Sequence, residues 1–248
     1  MLTEKVYTES YIRKKTIISF GIFILFLILC IGGWKWLHKQ PVENGALRPL
    51  RKGLHVNELI FSGLFGEKKV KTFDVSKAVL HPRINGLIGV ESAIDTLSWK
   101  LQVIKNNGDT LLITMDDIRK LPKTEIVFDF KCIEGWDQVT HWAGVRFKDF
   151  INAYHLGDEA ALRFTGLETP DKLYYVGIDN KSMMHPQTLL CYEVNNKPLP
   201  LNQGAPLRLI IPVKYGVKNL KRIGTINFSD ERPRDYWYER GYDYYCGL

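Results

Sequence analysis

The chain has 248 residues, of which 45% are hydrophobic and 25% charged, which is enough for one sizeable globular core besides an N-terminal segment. Its formal charge of +7 is uneven, because residues 1–57 hold 9 Lys and Arg against 3 Asp and Glu, leaving 25 against 24 for the rest. A nearly neutral folded part predicts no nucleic-acid partner, since nucleic-acid binding needs basic residues concentrated on the domain itself.

A short tail, residues 1–15, precedes an uncharged apolar run from Thr16 to Trp34. At about 1.5 Å per helical residue this run nearly matches a bilayer core of about 30 Å. Basic residues flank it on both sides, and Trp34 and Trp36 stand where an interfacial aromatic belt is expected. We therefore predict a transmembrane anchor over residues 16–36.

A cleaved signal peptide is the competing interpretation of this run, but no small-x-small cleavage site follows it. We expect a single-pass membrane protein with a short cytoplasmic tail and the folded domain on the periplasmic or extracytoplasmic side. Charge bias alone does not decide the orientation, and the chain shows Arg13-Lys14-Lys15 where a twin-arginine export signal has two arginines. Either a degenerate signal works or the topology is inverted.

Residues 37–70 are basic and rich in Pro and Gly. This composition predicts an irregular membrane-proximal connector, or arms wrapped on the domain. We place the folded domain at residues 71–248.

Periodicity locates the first elements of the domain. Trp99, Leu101 and Val103 alternate with polar residues, and a turn at residues 106–109 predicts a hairpin that returns over residues 111–114. A capping-box-like signature opens a short helix after this hairpin. A second helix is predicted over residues 147–155, ending at Gly157.

Further runs of β-forming residues predict strands at residues 162–165, 173–178, 188–194, 207–211 and 225–228. Strands therefore outnumber helices. The fold class predicted is α+β with mixed β-sheets, preceded by one N-terminal transmembrane helix.

Residues 125–132 alternate so that Ile126, Phe128, Phe130 and Cys132 share one face of a strand. A thiolate at the end of such a strand can hold a metal. Taken alone, however, a cysteine in this position is more often a small buried hydrophobe.

Two long motifs decide between these interpretations. Residues 185–200 read HPQTLLCYEVNNKPLP, and residues 204–221 read GAPLRLIIPVKYGVKNLK. From about His81 to Phe228 the chain resembles the sulfite-oxidase-like molybdopterin-binding domain family. The resemblance implies a sulfite-oxidase-type molybdopterin-binding fold, a molybdenum-molybdopterin cofactor and an oxidoreductase activity.

The resemblance also implies roles for particular residues. Cys132 matches the protein ligand of molybdenum. The predicted cofactor contacts are Asn85, Thr165, Gln203, Arg208, Lys218 and Lys221. The three basic residues among them are suited to the pterin phosphate. Gln203 is a departure, because relatives often have Asn or His there.

Catalysis of this kind is two-electron oxygen-atom transfer at the metal. The Cys-x-Glu-x-Trp pattern at residues 132–136 is similar to that of the periplasmic methionine-sulfoxide reductase catalytic subunits. It implies a neutral sulfoxide or related oxide as substrate, with Glu134 either as a proton-relaying general acid or as a hydrogen-bond acceptor only. A carboxylate beside the ligand disfavours the alternative substrate sulfite, and a non-catalytic, membrane-tethered pterin-binding scaffold is the other alternative.

The source of electrons and the state of two cysteines are further expectations. No haem domain is apparent after the last family strand, so we expect a membrane redox partner that is haem- or quinol-linked. Cys191 and Cys246 could form a disulfide or remain buried free thiols. The aromatic residues of 236–245 could dock a partner, although packing on their own domain is the commoner outcome for such a tail.

Overall fold

The computed structural model describes residues 7–65 and 68–248. Residues 1–6 of the predicted tail and residues 66 and 67 of the predicted connector lie outside the described part. The α-helices are α1 (Glu9–His38), α2 (Arg48–Phe65), α3 (Met115–Arg119), α4 (Phe147–Ala153), α5 (Gly157–Ala160) and α6 (Asn180–Met183). The strands are β1 (Val42–Glu43), β2 (Ala46–Leu47), β3 (Lys100–Ile104), β4 (Thr110–Thr114), β5 (Lys123–Lys131), β6 (Asp137–Arg146), β7 (Phe164–Glu168), β8 (Tyr175–Asp179), β9 (Leu189–Val194), β10 (Lys197–Pro198), β11 (Arg208–Ile210) and β12 (Thr225–Ser229).

Helix α1 contains the predicted anchor. It has 30 residues and is long and apolar enough, by length and composition, to cross a membrane, and none of its most apolar stretch is buried against the rest of the molecule. At about 1.5 Å per residue the helix is about 45 Å long, so it extends beyond a bilayer core at its ends. It begins at an N-cap, where Thr8 Oγ1 accepts a hydrogen bond from the Tyr11 amide.

The first large sheet is antiparallel, in the order β10-β9-β6-β5, with β11 also paired to β9. Strands β5 and β6 form a long hairpin from Lys123↔Val145 to Lys131↔Asp137. Gly135 takes a φ of 88° in the turn between them, a conformation that glycine adopts without steric cost. This turn carries Cys132 and Glu134.

The second large sheet has the order β4-β3-β12-β7-β8. It is mixed, because β12 runs parallel to β3 while the other neighbouring strands are antiparallel. The prediction of an α+β fold with a mixed sheet is therefore confirmed.

Side chains from both sheets meet in one core. Leu101 and Ile226 come from the second sheet, Val145 and Leu190 from the first, and Phe150 from α4; all five are fully buried. Burying a side chain of this size stabilises the fold by roughly 1.5–3 kcal/mol relative to exposing it. This shared core holds the two sheets, and the loops at their edges, in fixed positions.

The local predictions for the first hairpin and helix are confirmed. β3 and β4 pair from Lys100↔Thr114 to Ile104↔Thr110. In the capping box of α3, Thr114 Oγ1 accepts from the Asp117 amide at 3.2 Å, and Asp117 Oδ2 accepts from the Thr114 amide at 3.3 Å. The helix predicted over residues 147–155 ends at Ala153, and α5 begins at Gly157.

The sequence predicted an irregular connector over residues 37–70. This prediction is wrong for about half of that segment. Residues 48–65 form α2, an 18-residue helix. Pro49 is compatible with it, because an amide hydrogen in the first helical turn has no partner within the helix. A small β1–β2 hairpin joins α2 to α1.

Cys191 and Cys246 are both buried free thiols. Each sulfur lies near a backbone carbonyl oxygen, that of Glu193 at 3.1 Å and that of Asp243 at 2.9 Å. Burial raises the pKa of both thiols to about 12. The buried-thiol alternative is therefore the one that the structure shows.

Candidate active site

A cleft of about 370 Å³ opens at the turn between β5 and β6. Its walls come from this turn, the loop at residues 83–88, the segment that carries the second long motif, and the C-terminal segment. The lining residues are Arg83, Asn85, Gly86, Ile88, Phe130, Cys132, Ile133, Glu134, Trp136, Tyr174, Gln203, Arg208, Gly216, Val217, Asn219, Lys221, Trp237 and Tyr242. Of the eight residues predicted to form the site, six line this cleft, and Thr165 and Lys218 do not.

Cys132 lies at the end of β5, where the tight turn presents its side chain to the cleft. Its amide donates to the Trp136 carbonyl at 2.9 Å, and its carbonyl accepts from the Gly135 amide at 3.1 Å. The residue is 7% exposed, and Asn85 Nδ2 lies 3.8 Å from its sulfur. The cleft therefore presents a fixed soft ligand beside an amide donor.

Arg208 brings a buried positive charge to the same cleft from the start of β11. Its Nη1 donates to the backbone oxygen of Gln203 at 3.0 Å and to Gln203 Oε1 at 2.8 Å, and its guanidinium lies 4.5 Å above the ring of Trp142. Its Nε is buried and has no hydrogen-bond partner among the described residues. Burial lowers the pKa of Arg208 to about 10.

Lys221 supplies a second cation. Its Nζ donates to the backbone oxygens of Asn85, at 2.8 Å, and of Gly86. Burial, followed by the nearby Arg208, lowers the pKa of Lys221 to about 8. Since two desolvated cations disfavour each other's charged form, an anion bound between them would relieve both costs.

Gln203 fits the cleft despite departing from the family pattern. While its Oε1 accepts from Arg208, its Nε2 donates to the Pro82 carbonyl at 3.0 Å. The next residue, Gly204, has a φ of 101°, and a Cβ there would lie 2.7 Å from the Arg222 amide nitrogen. The side-chain amide of Gln203 thus links Arg208, at the start of β11, to the loop that carries Asn85.

Glu134 is exposed at the edge of the cleft. Trp136 Nε1 donates to its carboxylate at 3.2 Å, and the Arg83 guanidinium lies 4.8 Å above the Trp136 ring. Hydrogen bonds from Asn85 and Trp136, and then the charge of Arg83, hold the pKa of Glu134 below its ordinary value. Of the described residues that line the cleft, Glu134 alone is acidic.

The structure places two of the predicted cofactor contacts outside the cleft lining. Thr165 is fully buried in β7, where its hydroxyl donates to Asn180 Oδ1. Lys218 is also buried, and its Nζ donates to the Gly177 carbonyl at 3.0 Å and to Asp235. Its neighbours Gly216, Val217 and Asn219 line the cleft instead. The motif therefore reaches the cleft through Gly216, Val217 and Asn219, the residues that flank Lys218.

Sequence reasoning missed an aromatic wall. Tyr174, Trp237 and Tyr242 line the cleft, and the Trp237 and Tyr242 rings lie 5.0 Å apart. The Tyr174 hydroxyl donates to the Val217 carbonyl at 2.6 Å, and this bond links the aromatic wall to the second long motif. The density of aromatic residues in the C-terminal tail was the available signal, and the tail packs on its own domain.

The model of one protein family, the oxidoreductase molybdopterin binding domain, matches residues 88–237. This match covers more than half of the chain. The chain belongs to this family. This membership agrees with the resemblance that the two motifs carry.

Two similar relatives are protein-methionine-sulfoxide reductase catalytic subunits named MsrP. The one from Campylobacter jejuni is 32% identical over 164 residues, covering 60% of this chain and 55% of the relative. The one from Xanthomonas campestris is 32% identical over 154 residues, covering 57% and 48%. The chain thus spans about half the length of these curated relatives.

Among solved structures, the sulfane dehydrogenase SoxCD from Paracoccus pantotrophus is similar with a TM-score of 0.48 and 15% identity. The similarity covers 57% of this chain and 40% of that chain.

The residues of the cleft suit the cofactor that the family name implies. Molybdopterin carries a metal-binding dithiolene and a phosphate, so its site needs a soft ligand and fixed positive charge. Cys132 provides the first, and Arg208 with Lys221 provides the second. The partnerless Arg208 Nε also gives a buried donor that an anion can satisfy. The residues fit the group.

Proposed function

We propose that this chain is a membrane-anchored molybdenum oxidoreductase that reduces a sulfoxide or related oxide by two-electron oxygen-atom transfer. The observation that carries the proposal is the presence of the Cys132 thiol, the buried Arg208 and the half-buried Lys221 in one cleft. The names of the relatives support a sulfoxide as substrate class.

The roles proposed for the side chains follow from their chemistry. Bound molybdenum-molybdopterin supplies the oxygen-atom transfer chemistry. Cys132 would hold the metal as a thiolate, a form that metal coordination favours. Arg208 and Lys221 would hold the phosphate, while Gln203 keeps the Arg208 guanidinium in place through the 2.8 Å hydrogen bond.

Sulfoxide reduction consumes two electrons and two protons and yields a sulfide and water. A neutral substrate requires no charged partner, so a cleft wall of Trp136, Tyr174 and Tyr242 suits it. Glu134 accepts hydrogen bonds from Trp136 and Asn85 and has a lowered pKa. These contacts favour Glu134 as an acceptor that orients Asn85 beside the Cys132 sulfur, in preference to a carboxyl that stores a proton.

Sulfite oxidation remains a second candidate because of one observation. Arg83 lines the cleft close to Glu134, so the cleft edge carries a cation as well as a carboxylate. A guanidinium in this position can attract an oxyanion. The Glu134 carboxylate therefore disfavours sulfite less strongly than the sequence alone indicated.

We further propose that α1 anchors the domain, with the cleft on the periplasmic or extracytoplasmic side. A membrane protein carrying haem, or oxidising quinol, would then supply the electrons. The length and composition of α1 support the anchor, and the redox partner follows from the need for an electron source beside it.

Two measurements on full-length protein test the proposed function. Metal analysis should find molybdenum near one atom per chain in the wild type and none in Cys132→Ala, while the buried Cys191→Ala variant should keep it. The loaded protein should oxidise a reduced dye when a sulfoxide is added and should not reduce a dye with sulfite. Metal-free wild type from molybdate-replete cells would favour the scaffold, and dye reduction by sulfite would favour the second candidate.

A further inference from the structure

Helix α2 carries apolar side chains on the side that faces away from the domain. Leu50, Val56, Ile60 and Leu64 are 52%, 53%, 49% and 60% exposed. At 3.6 residues per turn these four positions fall within an arc of about 120°. We call this arc the outer face of α2.

The opposite side of α2 is fixed to the domain by polar contacts. Arg51 is buried, and its guanidinium donates to the carbonyl oxygens of Tyr242 at 2.7 Å and Tyr238 at 3.0 Å. Glu58, the single acidic residue of α2, accepts from Arg232 at 2.6 Å. Because Glu58 is turned toward the domain, the outer face carries no carboxylate that would oppose burial in an apolar layer.

The start of α2 lies near the end of α1. Nine residues separate His38 from Arg48, and the β1–β2 pairing brings Val42 opposite Leu47. The path runs along the chain from His38 to Val42, across the strand pair to Leu47, and on to Arg48. At about 3.5 Å for each residue along the chain and about 5 Å across the strand pair, the two helix ends are at most about 25 Å apart. Whatever layer holds the end of α1 is therefore within reach of α2.

We propose that the outer face of α2 lies in the interfacial layer of the bilayer that α1 crosses, with lipid headgroups and the upper acyl chains as its partner. This inference rests on the membrane anchor of the proposed function. An amphipathic helix with one apolar arc, basic residues such as Lys52 beside it and no outward carboxylate matches the composition that binds at such a surface.

Arg51 connects α2 to one wall of the cleft. Its guanidinium lies 4.2 Å above the Tyr238 ring and binds the carbonyl of Tyr242, whose side chain lines the cleft. Membrane binding by α2 would therefore hold this cleft wall close to the lipid surface. A membrane-embedded electron donor would meet the domain there.

The test uses full-length, cofactor-loaded protein in nanodiscs of phosphatidylcholine and phosphatidylglycerol, with a specific protease site inserted between Lys39 and Gln40. Cleavage after reconstitution separates α1 from the folded remainder without requiring that remainder to fold alone. We expect the domain to stay on the discs, also at high salt. The variant Ile60→Gln/Leu64→Gln should bind the discs roughly tenfold or more weakly, because two large apolar side chains lose their burial.

The matched control is Leu97→Gln/Leu112→Gln, which replaces two exposed leucines outside α2, 95% and 62% exposed, and should stay bound. Molybdenum content, equal in all variants, shows that each is folded. Release of the wild-type domain while the α1 fragment stays in the disc overturns the inference, and so does unchanged binding of the Ile60/Leu64 variant. A released wild-type dimer would assign the outer face to a second copy instead, and an α1 fragment that leaves the disc would overturn the anchor itself.

Discussion

Two groups of buried or half-buried cations in this protein differ in what surrounds them. In the cleft, Arg208 and Lys221 donate to carbonyl and amide oxygens and have each other as charged neighbours. Two other lysines of the motif at residues 204–221 have carboxylate partners: Lys214 pairs with Asp179 at 2.8 Å, and Lys218 pairs with Asp235. The second group has its counter-ions within the fold, whereas the first has no carboxylate partner among the described residues, which fits the anionic ligand that we propose for it.

The difference shows how a structural lysine can be told from a ligand-binding one. Burial alone does not separate them, because it lowers the pKa of Lys214 to about 8 even though Asp179 opposes the shift. The carboxylate partner does separate them, since a desolvated charge needs compensation from the fold or from a ligand. Replacing a cation of the first group should therefore lower cofactor retention. Replacing a cation of the second group should lower the free energy of unfolding.

The largest effect is expected at Lys218. Lys218→Met leaves Asp235 buried without its partner, and breaking a buried ion pair in this way costs about 3–5 kcal/mol. Denaturant unfolding should show this loss in the free energy of unfolding. The exposed Lys148→Met should change it by less than about 0.5 kcal/mol.

The protein that remains folded should keep its molybdenum, because the Lys218 side chain lies outside the cleft lining. If a Lys218→Met protein lost its cofactor while its stability stayed unchanged, Lys218 would contact the cofactor after all. The two groups of cations would then not differ in function.

A smaller effect of a different kind is expected at Arg208. Arg208→Met removes charged hydrogen-bond donors from the cleft, which should weaken cofactor retention by about 1.5–3 kcal/mol, or roughly 10–100-fold. The unfolding free energy of the cofactor-free protein should fall little, since the desolvation cost of a charge without a counter-ion disappears too.

Arg222 is a suitable control for this change. It is buried as well and donates to the Ser92 carbonyl at 2.6 Å, but it does not line the cleft. Arg222→Met should leave the molybdenum content of the folded protein unchanged. Equal retention by the Arg208 and Arg222 variants would contradict the phosphate role of Arg208.

The sequence predicted the thiol end of the cleft better than its walls. Cys132 and Glu134 lie in one turn, where period-two alternation and Gly135 already specify the local structure. Strand β6 was missed, because Thr140 to Val145 are all buried and give no alternation to read. Helix α2 was missed because Pro49 and two glycines hid its apolar periodicity.

The motif of residues 204–221 predicted a basic cluster, yet it could not say which cations face the cofactor. Lys218 lies in a 3-10 turn (Gly216–Lys218), and its direction depends on Asp235, a residue outside the motif. Arg83, Tyr174 and Trp237 come to the cleft from loops remote in sequence. Such contacts depend on tertiary packing, which no local pattern encodes.

The smallest expected effect is a pH dependence of the cofactor-free protein that comes from Lys221. Its pKa is about 8 in the fold against an ordinary value of 10.5, so between these pH values the unfolded chain binds a proton that the folded chain does not. The free energy of unfolding should therefore rise with pH from about 8 to 10.5, by roughly 1–2 kcal/mol after allowance for partial exposure. Below pH 8 the full destabilisation is present.

Denaturant titrations of wild type and Lys221→Met at pH 7 and pH 10 isolate this contribution, because other groups titrate equally in both proteins. The pH dependence of the difference between the two proteins should vanish once cofactor is bound, since a phosphate beside Lys221 favours the charged amine and raises its pKa again. A pH dependence that persists in the loaded protein would mean that the Lys221 charge has no anionic partner, and Lys221 would then be a purely structural cation.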